Sequence, residues 1–356
     1  MSAGRSAARV LLVVLSLLGS SLITEGLLRT VLEPSDFLRP DLARDEALGF
    51  RIEPNSGGHD AWGFRNPVVP PRADIVTIGD SFTYGSMVRA ADSWPAVLAA
   101  LSGRTVYNLG TPGYGPLQYA ELLDSKALRL KPDWVIVALY YGNDFLDASA
   151  RDTPRADDGS GLVHWLQTHS FVYRILDGAF SELSRQVFIR SYRYTSRSRD
   201  YLRIADRDNR VYTTLAKGRM RGVDLGRPEV RRGIEATAGL LRRMNRRCRD
   251  HGGRLLVVLL PTKESIFAGY LSDHGAPDDA RDFSKLERNE RTIDEQLQAS
   301  LRNDVIPYVN LREAFLSTVG HEEIYPRHFD GHLNRNGHRL FAEQVLRVID
   351  ATSPRS

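Results

Sequence analysis

Ser81, Asn143, Asp330 and His332 are the residue types that moving an acyl group onto water requires. Each sits in a short glycine-flanked polar block: Gly79-Asp80-Ser81, Gly142-Asn143-Asp144 and Asp330-Gly331-His332. A serine hydroxyl is a poor nucleophile until a base takes its proton, and an Asp–His pair is the usual supplier. Ester cleavage also builds a negative oxygen on a tetrahedral carbon, and each preorganised N–H donor aimed at it contributes on the order of 3 kcal/mol. Three donors suggest themselves: the backbone N–H of Ser81, the backbone N–H of Gly113 and the side-chain amide of Asn143. Glycine suits the second because a backbone without Cβ can pass close to a ligand. The blocks also have purely structural uses, with Ser81 as a helix N-cap, Gly113 and Asn143 as turn residues and Asp330 as a loop start.

Positioning such groups needs elements that end at one edge. Strand-like apolar runs cover residues 74–79, 105–109, 133–140, 254–260 and 305–309, and helix-like runs cover 94–101, 116–129, 231–250, 284–302 and 334–350. The alternation predicts an α/β fold, a doubly wound, flavodoxin-like parallel sheet of about five strands with an α-rich insertion. Ser81, Gly113 and Asn143 then follow the first three strands at their C-terminal ends, where open α/β sheets place reactive groups. Asp330 and His332 fall in the loop before the last helix, which can return to that edge. Pro261-Thr262-Lys263-Glu264 follows the fourth strand. Lys263 is therefore a candidate substrate contact, and equally a surface loop charge.

Taken together the blocks resemble those of the SGNH/GDSL hydrolase superfamily. Gly79-Asp80-Ser81-Phe82 resembles its first block, with Ser81 as the nucleophile. Asn108-Leu109-Gly110-Thr111-Pro112-Gly113 resembles the second, Tyr141-Gly142-Asn143-Asp144 the third, and Asp330-Gly331-His332-Leu333-Asn334 the last. Many members have two residues between Asp and His, and this chain has one, a spacing that also occurs in the family. The resemblance covers roughly residues 72–350 apart from the insertion. It implies a serine esterase with no cofactor and no metal, acting on short acyl groups, most plausibly O-acetyl, on envelope or extracellular carbohydrate; lipases and thioesterases are also members. Two rivals stay open. Alginate O-acetyltransferases resemble the chain in an Asp-x-His motif and membrane location, but they carry Asp–His before the serine, whereas Ser81 comes first here. A non-catalytic glycan-binding relative would not need the full set of blocks.

Composition narrows the alternatives. The chain has 356 residues, enough for one large domain with an insertion, and its net charge of +4 is too small to suggest nucleic acid. Cys248 is the only cysteine, so no internal disulfide forms. His321, His328 and His338 lie near His332, but Asn334 and Gly337 fit a helix start better than a metal shell, and His338 reads as a surface helix residue. Arg5 and Arg9 precede an apolar run from Val10 that ends at Glu25, about 22 Å of helix. Basic residues before such a run are an export signal that keeps its own side cytoplasmic. The absence of an A-x-A-like cleavage site favours an uncleaved anchor over a signal peptide. The expected organisation is a signal-anchor or transmembrane segment over residues 1–30, a tether and lead-in over 31–70, a catalytic domain over 71–350 and a tail over 351–356. The catalytic domain would lie outside the cytoplasm, periplasmic where the cell has one. Trp62-Gly63-Phe64-Arg65 in the lead-in resembles a stretch that precedes the first block in membrane-anchored members. The insertion, 147–230, interleaves Arg185, Arg190, Arg193, Arg197, Arg199, Arg203 and Arg207 with Tyr192, Tyr194, Tyr201 and Tyr212. It reads either as a lid meeting an anionic glycan or headgroup or as a solvated face whose arginine stems cover apolar surface.

Overall fold

A computed structural model describes residues 2–148, 161–180, 201–205, 211–274 and 281–352. Its centre is a five-stranded parallel sheet made of β3 (Ile75–Ile78), β4 (Val106–Asn108), β5 (Trp134–Tyr140), β8 (Arg254–Leu260) and β9 (Tyr308–Asn310), in the order β4-β3-β5-β8-β9. Two short hairpins complete the strands: β1 (Leu42–Asp45) with β2 (Gly49–Ile52), and β6 (Tyr201–Ala205) with β7 (Tyr212–Ala216). Taking the five central strands alone, the order is 2-1-3-4-5, the flavodoxin-like doubly wound arrangement. Strands buried on both faces need unbroken apolar sequence, and every residue of β3 and β5 is buried.

Helix 94–102 packs against the final helix, 335–352, on one face of the sheet, while helices 116–125, 228–250 and 281–303 cover the other. Right-handed crossovers dictate this split, because the connection from β3 to β4 runs in the opposite direction to those that follow. Helix 228–250 shows how the sequence does it. Val230, Ile234, Thr237, Leu241, Met244 and Cys248 recur at three- and four-residue spacing and are buried, and the arginines between them are not. Gly233 allows this helix to lie directly on the backbone of Phe145, where a Cβ would come within 1.7 Å of its carbonyl oxygen.

Several expectations need correction. The fifth strand, expected at 305–309, is Tyr308–Asn310. The preceding helix ends with Val305 in left-handed conformation (φ 54°) and the Ile306 N–H bonded back to the Leu301 carbonyl, so residues 304–306 belong to the helix stop. Residues 31–70 are packed rather than loose. Asp60 accepts hydrogen bonds from the Tyr107 hydroxyl (2.7 Å) and the Trp62 and Phe64 N–H groups, the Tyr114 hydroxyl donates to the Phe50 carbonyl (2.6 Å), and Arg65 is buried against Asp36 (2.7 Å). Prolines and Asn55-Ser56-Gly57-Gly58 suggest loop, which most of it is, but Phe50, Asp60, Phe64 and Arg65 are buried and tie it to the core. In the insertion the described part mixes helices 162–169 and 171–180 with the β6–β7 hairpin. Arg185, Arg190, Arg193, Arg197, Arg199, Arg207, Tyr192 and Tyr194 lie outside the described residues. Of the remainder, Arg203 is exposed, Tyr212 is exposed and the Tyr201 ring packs on Phe329. The N-terminal helix, Ser2–Val31, includes a 26-residue stretch, Ser6–Val31, long and apolar enough to cross a membrane, and its apolar side chains from Val10 to Leu18 are all exposed.

Candidate active site

Ser81 begins a single helical turn, Ser81–Tyr84, at the C-terminal end of β3. Asp80 caps it, its carboxylate accepting the Phe82 N–H at 2.9 Å. The β3–β5 boundary is where the strand order reverses, so the hydroxyl stands at the crevice that this topology opens. His332 reaches it from the loop before the last helix. Its Nε2 lies 2.8 Å from Ser81 Oγ and its Nδ1 lies 2.7 Å from Asp330 Oδ1. The same carboxylate oxygen accepts the His332 backbone N–H at 2.8 Å. One intervening residue is thus enough for Asp330 to grip both the ring and the backbone of His332. With Nδ1–H donated to Asp330, Nε2 is left as the acceptor for the serine proton. Burial pushes the Asp330 carboxyl up, but its hydrogen bonds from His332 and the imidazole charge outweigh this and hold it at about 2. It therefore stays ionised at neutral pH.

The three expected donors follow adjacent strands. Gly113 adopts φ 83°, a left-handed conformation costly for any side chain. Its loop is held by Asn108, whose side chain accepts the Gly110 N–H and donates to the Thr83 carbonyl, both within 2.9 Å. Gly110 is required there, since a Cβ would sit 2.2 Å from the Tyr84 nitrogen. The backbone N–H groups of Ser81 and Gly113 have no acceptor among the described residues. Asn143 commits one amide hydrogen to Asp147 (2.7 Å), which aims the side chain and leaves the other hydrogen unused among the described residues.

Beneath these groups lies a buried carboxyl pair that the motifs contain but did not single out. Asp144 accepts from the Tyr140 N–H and the Tyr119 hydroxyl, and burial together with Asp80 pushes it well above the ordinary carboxylate range. Asp80 is raised to about 6, first by burial, against the Phe82 N–H and the nearby His332 charge that favour its ionised form. The Phe82 ring lies 4.8 Å from the His332 ring and 4.2 Å from Tyr140, giving the imidazole an apolar backing.

Lys263 is neither a cleft residue nor a surface charge. It opens helix Lys263–His274, is buried, and donates to the carbonyls of Pro326 (2.6 Å), His328 (2.6 Å) and Asp330 (3.1 Å). Burial pulls its ammonium down to about 8, against the charges of Glu264 and Asp330. His338 likewise differs from expectation. It is fully buried, its Nδ1 accepts the Trp94 N–H at 3.2 Å, and burial lowers it to about 3. Among the described residues there is no His, Cys, Asp and Glu group suited to a metal ion.

The family model of the GDSL-like lipases and acylhydrolases matches residues 77–340. The chain belongs to that family. As a GDSL-like acylhydrolase it is an ester-hydrolysing enzyme, built on a five-stranded parallel sheet flanked by helices. Solved structures it resembles include a G-D-S-L family protein from Desulfitobacterium hafniense (15% identity, TM-score 0.42, covering 77% of this chain and 98% of that one). A GDSL-like lipase from Bacteroides thetaiotaomicron gives 9%, 0.40, 78% and 88%, and an acetylxylan esterase from Geobacillus stearothermophilus gives 12%, 0.39, 78% and 94%. No curated protein matches the chain. The missed residues of this acylhydrolase, Asp80 and Asp144, stand inside the blocks, while Lys263 and His338 were named but misplaced, because their placement depends on segments remote in sequence.

Proposed function

We propose that this acylhydrolase is an exported, membrane-anchored serine esterase that removes short acyl groups, chiefly O-acetyl, from envelope or extracellular carbohydrate. Ser81 Oγ attacks the ester carbonyl while His332 Nε2 takes its proton, and Asp330 holds the tautomer and stabilises the imidazolium that forms. The oxyanion is met by the N–H groups of Ser81 and Gly113 and the amide of Asn143. His332 returns the proton to the departing sugar oxygen, and water, deprotonated by the same ring, releases the acyl group. The observation that carries this reading is the continuous Asp330–His332–Ser81 chain at 2.7 and 2.8 Å.

The carbohydrate part rests on the family resemblance and on the basic residues ahead of the apolar N-terminal helix, which favour translocation of the body. Incubating the full chain with acetylated polysaccharide and with acetylated sugar acceptors tests it. Free acetate as the main product, lost in Ser81→Ala, is the expected result, and acetyl transferred to the acceptor in preference to water would make the enzyme a transferase. A C-terminal alkaline phosphatase fusion should be active in cells, and an inactive fusion would overturn export.

A further inference from the structure

Helix 171–180 is amphipathic the wrong way round for a soluble protein. Val172, Ile175, Leu176, Ala179 and Phe180 share one face at three- and four-residue spacing, and Leu176 and Phe180 are 64% and 71% exposed. Its charged residues lie on the other side: Arg174 donates to the Phe37 carbonyl and pairs with Asp177 at 3.0 Å. Helix 162–169, joined to it at Ser170, also leaves Leu162 and Trp165 exposed, three residues apart on one face. Exposed apolar side chains clustered on consecutive helices need a partner.

The position of this pair relative to the N-terminal helix indicates which partner. Glu25 accepts from the Ser170 hydroxyl (3.0 Å) and from the N–H groups of Phe171 (3.1 Å) and Val172 (3.0 Å), so it caps the start of helix 171–180. Arg29 pairs with Glu25 at 2.9 Å, donates to the His169 carbonyl and lies over the Phe171 ring. Arg9 and Glu25 bound the uncharged run and lie about 24 Å apart along the helix, so Glu25 sits near the far edge of a hydrocarbon core of about 30 Å. Its charge is met there by Arg29 and by three donors, which makes that depth tolerable. The docked helices therefore begin at the hydrocarbon boundary.

We propose that residues 162–180 form an interfacial element that lies in the outer face of the same bilayer, with Leu162, Trp165, Ile175, Leu176 and Phe180 among the acyl chains and headgroups. This rests on the reading of the N-terminal helix as an anchor. The element converts a single spanning helix, which alone would leave the body free to swing, into a two-point mount that holds the catalytic domain at a set height and tilt.

Spin labels on the full chain in phosphatidylethanolamine–phosphatidylglycerol liposomes test it, since the one native thiol, Cys248, is buried and its ionisation pushed up to about 12. Labels at Leu176→Cys and Phe180→Cys should be several-fold more accessible to membrane-soluble oxygen than to an aqueous nickel chelate. A label at Val305→Cys, 81% exposed on the body, should show the reverse. A Leu18→Cys label reports the anchor separately. Leu18 in the bilayer with residues 176 and 180 in water would overturn the proposal and spare the anchor, whereas Leu18 in water would overturn both. Labels at 176 and 180 shielded from both quenchers would show a protein cover, from this chain or a second copy, in place of lipid, and would also overturn it.

Discussion

Ser81 and His332 are held in place by opposite means. Ser81 is fixed by local structure: a fully buried strand, one capped helical turn, and glycines that permit close packing around it. His332 stands in a loop without regular secondary structure, and apart from Asp330 what fixes that loop comes from distant parts of the chain. Lys263 ties together the carbonyls of residues 326, 328 and 330, Asp330 holds the ring, and the Phe82 ring backs it. The first arrangement costs little to specify in sequence, because a strand end and a turn suffice. The second depends on a buried cation whose three bonds span more than 60 residues, and it should be the more fragile of the two.

Removing either reacting group should have the largest effect. Ser81→Ala and His332→Ala should each cut kcat by about 10⁴-fold or more, leaving only the contribution of binding and the oxyanion donors. The melting temperature of Ser81→Ala should stay within a degree or two of the parent, and fluorophosphonate labelling should vanish. Persistent labelling would place the nucleophile at another serine. Asp330→Asn should cost less than His332→Ala in the same assay, and equal losses would mean that the imidazole cannot work without its carboxylate.

Lys263→Met sharpens the contrast directly. It leaves three carbonyls without their donor while keeping the bulk of the side chain, so a loss of about 3 kcal/mol or more in stability is expected. The His332 loop should shift as well, and displacement of about 1 Å is enough to cost roughly 10²-fold in kcat. Urea titration and kinetics on the same sample separate the two effects. Unchanged kcat in a folded variant would show that Asp330 and Phe82 alone position the histidine.

On the local side, Asn143→Ala should lower kcat by roughly 10²-fold with KM little changed, because its bond strengthens only as the oxyanion forms. A rise in KM alone would reassign Asn143 to substrate binding. The smallest effect belongs to Asp80→Asn, which keeps the cap acceptor and removes the charge. Asp80 is raised from 3.8 to about 6 in the folded chain. The folded state therefore retains a proton that the unfolded chain loses, and this stabilisation is full below pH 3.8 and lost as pH rises through 6. The Asn variant should gain melting temperature over the parent across that window, by a few degrees at most, and then hold the gain. A constant difference at every pH would show that Asp80 contributes through its cap alone.

Much of this was legible in the chain. The α/β class and five strands follow from β-branched runs alternating with helical periodicity, and only the last strand shifted, because the helix stop at Val305 carries no glycine to announce it. The blocks holding Ser81, Asn143, and Asp330 with His332 announced themselves because each combines a reactive side chain with a glycine. The lead-in was misread as tether because the partners of Asp60 and Arg65 lie elsewhere in the chain, so no local pattern shows them.

By itself, then, the sequence determined the strand order's raw material, the family and the residues that can react, since these depend on short-range periodicity and on side-chain chemistry. Only the tertiary structure decided which charges are spent internally. Lys263 and His338 look like surface residues in a polar stretch, yet one became a buried brace and the other a helix cap, each through contacts with segments remote in sequence. The exposed apolar face of helix 171–180 shows the converse. Its periodicity is that of an ordinary core-facing helix, and only the bond of Arg174 to the Phe37 carbonyl and the exposure of Leu176 and Phe180 reveal that the apolar face points away from the body.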